Sequence, residues 1–312
     1  MRELRKYLFV FFMGFILSGS TACAADAPYV TTPQNVIDAM LNISAVKADD
    51  YVVDLGAGDG RIVITAAKKL GARGVGVELD ANLVRTAQRE AQREGVQDRV
   101  SFYSDDLFFM DLSKASVITM YMSEAVNMRL RPSLFKLKPG TRVVSHDFDM
   151  GNWRPDAKIT VPVPDKRYGP PSSAVFMWRV PADFSGTWVW RSPVNGVEES
   201  HEAALTQKFQ KIDGKGRIAS QQAVIGGPKI RGSIINFVMG AEVAGKATWR
   251  EFEGRIEGDT ITGTAITLSD ADQVMVKGVA VPWGATRTAR GQMDIEAGVQ
   301  SFGSGFFTRE QK

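Results

Sequence analysis

The stretch that decides the fold is Tyr51-Val52-Val53-Asp54-Leu55-Gly56-Ala57-Gly58-Asp59-Gly60-Arg61-Ile62-Val63. Five residues of strand character end in glycines at alternate positions, after which Ile62, Val63, Ala66, Ala67 and Leu70 recur at helical spacing. A strand that turns through glycines straight into a helix brings backbone close to a ligand and aims amide hydrogens at it. Gly74-Val75-Gly76-Val77-Glu78 reads as a second buried strand, followed by a helix over 81–94 that stops at Gly95. The unit is βαβ.

Upstream, Thr32-Pro33 is expected to open a helix, with a hydroxyl cap and proline at its first position, and Val36, Ile37, Met40 and Leu41 form one apolar face. Downstream, strands are expected at 100–103, 117–121 and 141–146, with a helical stretch between the last two interrupted at Pro132. Residues 158–163 and 174–180 follow with no helix between them, so they must pair antiparallel. The expected fold is α/β: a seven-stranded, doubly wound, Rossmann-like sheet over residues 25–182. The seam falls at Val180-Pro181-Ala182-Asp183, where Pro181 has no amide hydrogen for a central strand.

Beyond it, helical periodicity gives way to short alternating segments separated by glycine turns. Phe252, Gly254, Ile256, Ile261, Gly263 and Ala265 share one face of a hairpin turning at Glu257-Gly258-Asp259. With Trp188, Trp190, Leu205, Phe209, Trp249 and Trp283 to fill an interior, residues 183–312 are expected to form an antiparallel all-β barrel or sandwich, with 301–312 as a tail.

The amino terminus reads as a leader. Arg2, Arg5 and Lys6 precede an apolar run from Tyr7 to Leu17, and Ala22-Cys23-Ala24 offers a small-residue cleavage site, so 1–24 is expected to be a signal peptide. The run is too short for a membrane-spanning helix, which needs about 20 residues. The expected location is periplasmic or secreted; an uncleaved anchor or a lipoprotein cut before Cys23 are alternatives, and all three leave the chain outside the cytoplasm. Cys23 is the sole cysteine of the 312 residues, so cleavage removes thiolate and disulfide chemistry, and two histidines make no zinc set. A composition of 44% hydrophobic and 23% charged residues excludes disorder and a multi-span membrane protein. Lys plus Arg number 38 against 35 Asp plus Glu, a balance that does not suggest a nucleic-acid partner.

The ligand is narrowed by charge. A dinucleotide fingerprint spaces its glycines G-x-G-x-x-G, whereas Gly56, Gly58 and Gly60 run G-x-G-x-G behind Asp54. Asp54 and Asp59 would repel a pyrophosphate and attract the sulfonium and ammonium of S-adenosylmethionine. Glu78, at the end of the second strand, suits two ribose hydroxyls, and Asp106, after the third, suits an adenine amino group.

These residues carry a resemblance. Asp54 to Arg61, Gly76-Val77-Glu78-Leu79 and Asp106-Leu107-Phe108 resemble the motifs of class I S-adenosylmethionine-dependent methyltransferases. Pro28-Tyr29-Val30-Thr31-Thr32-Pro33, the run Gly58-Asp59-Gly60-Arg61-Ile62-Val63 and Trp153-Arg154-Pro155 resemble, more narrowly, the small lysine methyltransferases that modify the ATP synthase c-ring protein and adenine nucleotide translocase. The likeness covers residues 28–180 and does not reach the β region. It implies Gly56, Gly58 and Asp59 around the methionine part, Glu78 on the ribose, Asp106 and Leu107 at adenine, and Tyr29 and Thr32 closing over the methionine end. It also implies in-line methyl transfer from sulfur to nitrogen, resting on alignment and desolvation more than on a strong base.

The chain departs from many amine methyltransferases after the fourth strand. There it has Tyr121-Met122-Ser123-Glu124 in place of Asn/Asp-Pro-Pro-Tyr, so Tyr121 and Glu124 are the catalytic candidates and the acceptor, protein or small molecule, stays open. The alternative is an exported binding protein on a methyltransferase frame, its β region holding a lipid, a cell-wall fragment or a protein. His146 is read as a structural histidine ahead of a general base, and His201 as a loop residue without chemistry.

Overall fold

The computed structural model describes residues 29–296 apart from 195–196, 244 and 272–273; the expected leader (1–24) and tail (301–312) lie outside the described residues. The chain divides between Thr31 and Thr32, and both the sheet and the barrel lie in the part from Thr32 onward.

That part opens with α1 (Gln34–Ile43), β1 (Tyr51–Leu55), α2 (Arg61–Leu70), β2 (Arg73–Glu78), α3 (Ala81–Arg93), β3 (Val100–Ser104) and β4 (Val117–Met120). There follow α4 (Glu124–Leu134), β5 (Arg142–His146), β6 (Ala157–Pro162) and β7 (Ser172–Arg179). The seven strands form one sheet in the order β3-β2-β1-β4-β5-β7-β6. β1 to β5 are parallel, and β7 runs antiparallel to both β5 and β6, as two strands with no crossover between them require. β1 and β4 are central, which accounts for their nearly unbroken apolar sequences.

Two local expectations are corrected. Thr32 caps nothing: Pro33 takes the N-cap of α1 with no side-chain hydrogen bond, and the Thr32 hydroxyl lies 3.2 Å from Nδ1 of His146. The stretch at Pro132 is not interrupted: α4 runs through it to Leu134. Ser123 caps the start of this helix, and Pro132 falls in the last turn, where the lost amide costs a single bond.

The β region is a closed barrel of β8 (Gly186–Val194), β9 (Val197–Lys208), β10 (Lys211–Ile218), β11 (Gln221–Arg231), β12 (Ile234–Val243), β13 (Lys246–Glu257), β14 (Thr260–Ala271) and β15 (Val274–Arg290). Each strand is antiparallel to the next, and β15 returns to β8, so the circuit is closed where a sandwich would leave edges. The expected hairpin is β13–β14, with Phe252 opposite Ala265, Gly254 opposite Gly263 and Ile256 opposite Ile261. Trp188, Trp190, Leu205 and Trp283 fill the interior together with Phe237 and Phe252.

Two of the expected interior residues are elsewhere. Phe209, in the β9–β10 turn, joins the core beneath the sheet with Trp153 and Trp178, and Trp249 lies on the outer wall beside Gly240. His201 is no loop residue: it belongs to β9 and is 2% exposed.

Sheet and barrel meet through Phe209 and Gln210. Phe209 sits 5.7 Å from the Phe135 ring and 6.4 Å from Trp153, whose indole N–H donates to Gln210 Oε1 at 2.7 Å. Arg131 of α4, 1% exposed, donates to the carbonyls of Met150 and Ile295, and Ala182 N–H donates to Gly232. Trp153→Ala is expected to lower the unfolding free energy by about 3–5 kcal/mol, the usual cost of emptying a large aromatic site. Urea denaturation measures it, and a loss below about 1 kcal/mol would contradict this packing.

Candidate active site

The carboxyl ends of β3, β2, β1, β4 and β5 lie along one edge of the sheet, in that order. Ligands of open parallel sheets bind at this edge, where the order reverses between strands feeding helices on opposite faces. Each end carries part of the candidate site.

After β1 the chain turns through Gly56 at φ +76° and Gly60 at φ +79°, conformations that cost an L side chain energy. Space is closed as well. A Cβ on Gly56 would stand 2.6 Å from Met122 Sδ, and one on Gly60 would stand 2.6 Å from the Phe102 ring. The Gly56 and Ala57 amides both donate to Val77 O at 2.9 Å, which stitches the turn to β2.

Glu78 completes that stitch with its side chain. Oε2 accepts from the Gly58 amide at 2.9 Å and Oε1 from the Asp80 amide at 3.1 Å. Asp59 is turned toward Arg61, which grips both its oxygens through Nε and Nη2, the latter at 2.6 Å, while Nη1 donates to the Thr32 carbonyl. Thr32 is therefore held beside the loop. Tyr29 belongs to the part of the chain ending at Thr31 and is half exposed.

Asp54 lies at the end of β1, 2% exposed, and accepts from Thr119 Oγ1 at 2.6 Å. Burial pushes its carboxyl up to about 7, and the charges of Asp59 and Glu78 add to this against the Thr119 bond. The three carboxylates thus sit close enough to feel one another. Past β3, Asp105 N–H donates to the Glu78 carbonyl at 3.3 Å, and Asp106 Oδ1 accepts from Phe108 N–H at 2.9 Å. Leu107 is half-buried against the sheet core, and Arg129 stacks over the Phe108 ring at 3.7 Å.

On the other side of β1, Tyr121 follows β4. Its ring lies 3.8 Å from that of His146, and its hydroxyl is 3.4 Å from Asp147 Oδ2. Burial, with Asp147 adding to it, pushes the phenol up to about 12, so it stays protonated. His146 has both nitrogens occupied, Nδ1 by Thr32 and Nε2 by Ser173 at 2.8 Å. Burial holds it down to about 4, with Lys166 opposing the pull of Asp147, and it remains neutral. Asp147 adopts φ +61°, a conformation rare outside glycine and most often kept where surrounding contacts demand it. Lys166 Nζ at 2.6 Å and the Ala174 amide at 3.0 Å supply those contacts. Glu124 stands exposed in the first turn of α4. Sequence reasoning missed Thr119, Lys166 and Ser173, since nothing local marks a residue whose partner lies distant in the chain. A separate groove of about 420 Å³ lies on the barrel, lined by Val189, Arg191, Glu202 and Arg217 among others. It shares no residue with this edge.

The comparisons with known proteins bear on the same stretch. The family model of the ANTKMT methyltransferase domain matches residues 54–157. A protein-lysine N-methyltransferase of Saccharolobus islandicus is 47% identical over 136 residues, which make up 43% of this chain and 84% of that protein. The chain belongs to this methyltransferase family. The methyltransferase is also similar to the adenine nucleotide translocase lysine N-methyltransferase of Mus musculus, 33% identical over 136 residues, 43% of this chain and 58% of that protein. Among solved structures, one described as an RNA methyltransferase from Salinibacter ruber in complex with S-adenosyl-L-homocysteine is 47% identical. It covers 50% of this chain and 96% of its own, with a TM-score of 0.45. None of these matches covers more than half of the chain.

The buried histidine of the methyltransferase gives a pH test. Because His146 lies below its unfolded value of about 6.5, the unfolded chain takes up the proton first as pH falls. Its contribution is full above pH 6.5 and is lost on the way down to about 4. In His146→Asn the slope of unfolding free energy against pH across this window is expected to fall by up to about 1.4 kcal/mol per unit. Denaturation series from pH 7 to 4 measure it; an unchanged slope would contradict the burial of a neutral ring.

Proposed function

We propose that this methyltransferase uses S-adenosylmethionine to methylate a lysine amine of a protein, and that it acts outside the cytoplasm. The observation that carries the reading is the Gly58–Glu78 hydrogen bond, which joins the glycine turn to the acidic end of the neighbouring strand at 2.9 Å. The residues present fit the cofactor. The left-handed turn at Gly56 and Gly60 would bring backbone close to the ligand, and Asp54, Asp59 and Glu78 would supply the acidic groups that a sulfonium and ribose hydroxyls need. When bound, S-adenosylmethionine supplies an activated methyl on a positively charged sulfur.

Gly56, Gly58 and Asp59 would bound the methionine part, Glu78 would accept from ribose hydroxyls, and Asp106 and Leu107 would meet the adenine. Asp54, buried behind the turn, would support it from within. Thr32, fixed by Arg61 and His146, would close the methionine side, and the resemblance gives Tyr29 the same role.

For the acceptor, Tyr121 is the group best placed to orient a nitrogen. It stays protonated, its ring is fixed on His146, and its oxygen can accept an amine hydrogen so as to direct the lone pair. No strong base is needed. His146 has both nitrogens engaged and Asp147 is paired with Lys166, so the lysine would shed its proton to solvent before it takes up the methyl group. Glu124, exposed at the rim, would meet the cationic residues of a protein substrate. The lysine acceptor is supported by the names of the Saccharolobus and mouse relatives. Export is supported by Arg2, Arg5 and Lys6 ahead of the apolar run.

Titration calorimetry with S-adenosylmethionine is expected to show saturable binding, weakened roughly tenfold or more in Glu78→Ala, the scale of a lost hydrogen bond to a charged group. Equal affinity in both would remove Glu78 from the site. Tritiated methyl from the cofactor should label envelope-protein extracts on lysine, and chemical acetylation of the lysines beforehand should abolish it; undiminished label would refute the lysine acceptor. Cell fractionation followed by amino-terminal sequencing should find the chain outside the cytoplasm and starting near residue 25, whereas a cytoplasmic chain starting at Met1 would refute export.

A further inference from the structure

The two ends of the barrel interior differ in chemistry. Toward the sheet, Arg287 lies 4.4 Å over the Trp188 ring, donates to the carbonyls of Ser185 and Asp183, and has Asp259 Oδ1 3.3 Å from its Nε. Its charge is matched. At the far end the interior positions become polar: Ser192, His201, Thr248 and Arg250 all face inward and are at most 9% exposed. Arg250 donates to Ser192 Oγ across the lumen, and no carboxylate pairs with it among the described residues. Glu198 acts on it only at longer range.

Three nitrogens at this end are buried without a partner: Nε of Arg250, Nε1 of Trp190 and Nε2 of His201. Each such group is costly when left unsatisfied, and more so when charged. They are neighbours. Trp190 stands opposite His201 in the β8–β9 register with their rings 5.2 Å apart, and Ser192, which receives Arg250, is two residues along the same face of β8.

The character of each atom restricts what could satisfy it. Trp190 can only donate, and Arg250 donates and carries charge. His201 Nδ1 lies 3.2 Å from the Glu199 carbonyl, which can only accept, so Nδ1 holds the proton and Nε2 offers a lone pair. The ring is neutral, since burial, with Arg250 adding to it, holds it down to about 4. An anion beside two donors, with a hydroxyl reaching the imidazole, meets all three. Phe237, Met239, Phe252 and Trp283 surround the group, so the rest of the ligand must be apolar.

β15 pairs with β8 only between Gly186–Val189 and Thr286–Arg290, so from Trp190 onward β8 has no ladder partner on that side among the described residues. Val281 and Val279 of β15 are 41% and 86% exposed. Trp190 and His201 also line the groove of about 420 Å³ on the barrel.

We propose that the far half of the barrel binds an apolar hydroxy acid, with its carboxylate on Arg250 and Trp190 and its hydroxyl on His201. The inference is independent of the chemistry assigned to the sheet.

Calorimetry on the full chain with 3-hydroxydecanoate, decanoate and 1-decanol tests it. The hydroxy acid is expected to bind saturably, decanoate several-fold more weakly and the alcohol not at all. Arg250→Met should weaken the hydroxy acid roughly tenfold or more, and Trp190→Phe several-fold, each having lost a donor to an anion. Ligand-free Arg250→Met should melt no lower than wild type, because an apolar side chain replaces an unpaired buried charge. The proposal is overturned if neither acid gives saturable heat, which would leave trapped water as the partner of these nitrogens. It is also overturned if the acids bind folded Arg250→Met as tightly as wild type, and its His201 arm falls if the two acids bind wild type equally.

Discussion

Three hydrogen bonds, from the Gly56 and Ala57 amides to the Val77 carbonyl and from the Gly58 amide to the Glu78 carboxylate, hold together the two chain segments on which the sheet's open edge depends. The turn after β1 must pass through left-handed backbone to enter α2, and such a turn has few internal bonds to fix it. It borrows them from β2: Val77 accepts two of its amides and Glu78 a third. A carboxylate used in this way cannot stray, so the acid at the end of β2 is placed by the same contacts that shape the loop. Asp54, sealed behind, is pushed toward its neutral form by burial, with the charges of Asp59 and Glu78 adding to it. Packing and charge here are one arrangement.

Across β1 the edge is built differently. Tyr121, His146, Thr32 and Ser173 form a neutral, fully buried or half-buried chain of ring contact and hydrogen bonds, and Asp147 is held in an unfavourable backbone conformation by Lys166 and a backbone amide. Asn127 of α4 adds to this by donating to the carbonyls of Phe148 and Asp149, so the chain leaving β5 is pinned from both sides. A nitrogen presented here would find an orienting phenol, with His146 and Asp147 already engaged, which suits a transfer governed by alignment.

The barrel is joined to this frame by side chains that each serve two cores. Phe209 leaves the barrel to pack under the sheet, Arg131 leaves α4 to reach the Ile295 carbonyl, and Trp153 meets Gln210. Toward the sheet the buried Arg287 has Asp259 beside it, whereas Arg250 at the opposite end has no carboxylate beside it among the described residues, and that difference in charge pairing marks the far half as the place to look for a ligand.

The succession of strands along the chain, the glycine turn, the antiparallel pair that ends the sheet and the β13–β14 hairpin were legible in the sequence. Each depends on a local period or on residues whose backbone preference is intrinsic, as with Gly56 and Gly60 or the alternation from Phe252 to Ala265. Asp54, Glu78 and Asp106 could be assigned to one edge because strand ends in a parallel sheet share a direction. Thr32 looked like a cap and became a partner of His146; Phe209 and Trp249 looked like barrel core and went elsewhere; His201 looked idle in a loop and lies inside a strand. Local sequence therefore determined which segments are strand, turn or helix. Tertiary structure alone decided which side chains meet, because contacts such as Thr32 with His146, 114 residues apart, or Arg250 with Ser192, 58 apart, arise only when distant segments pack.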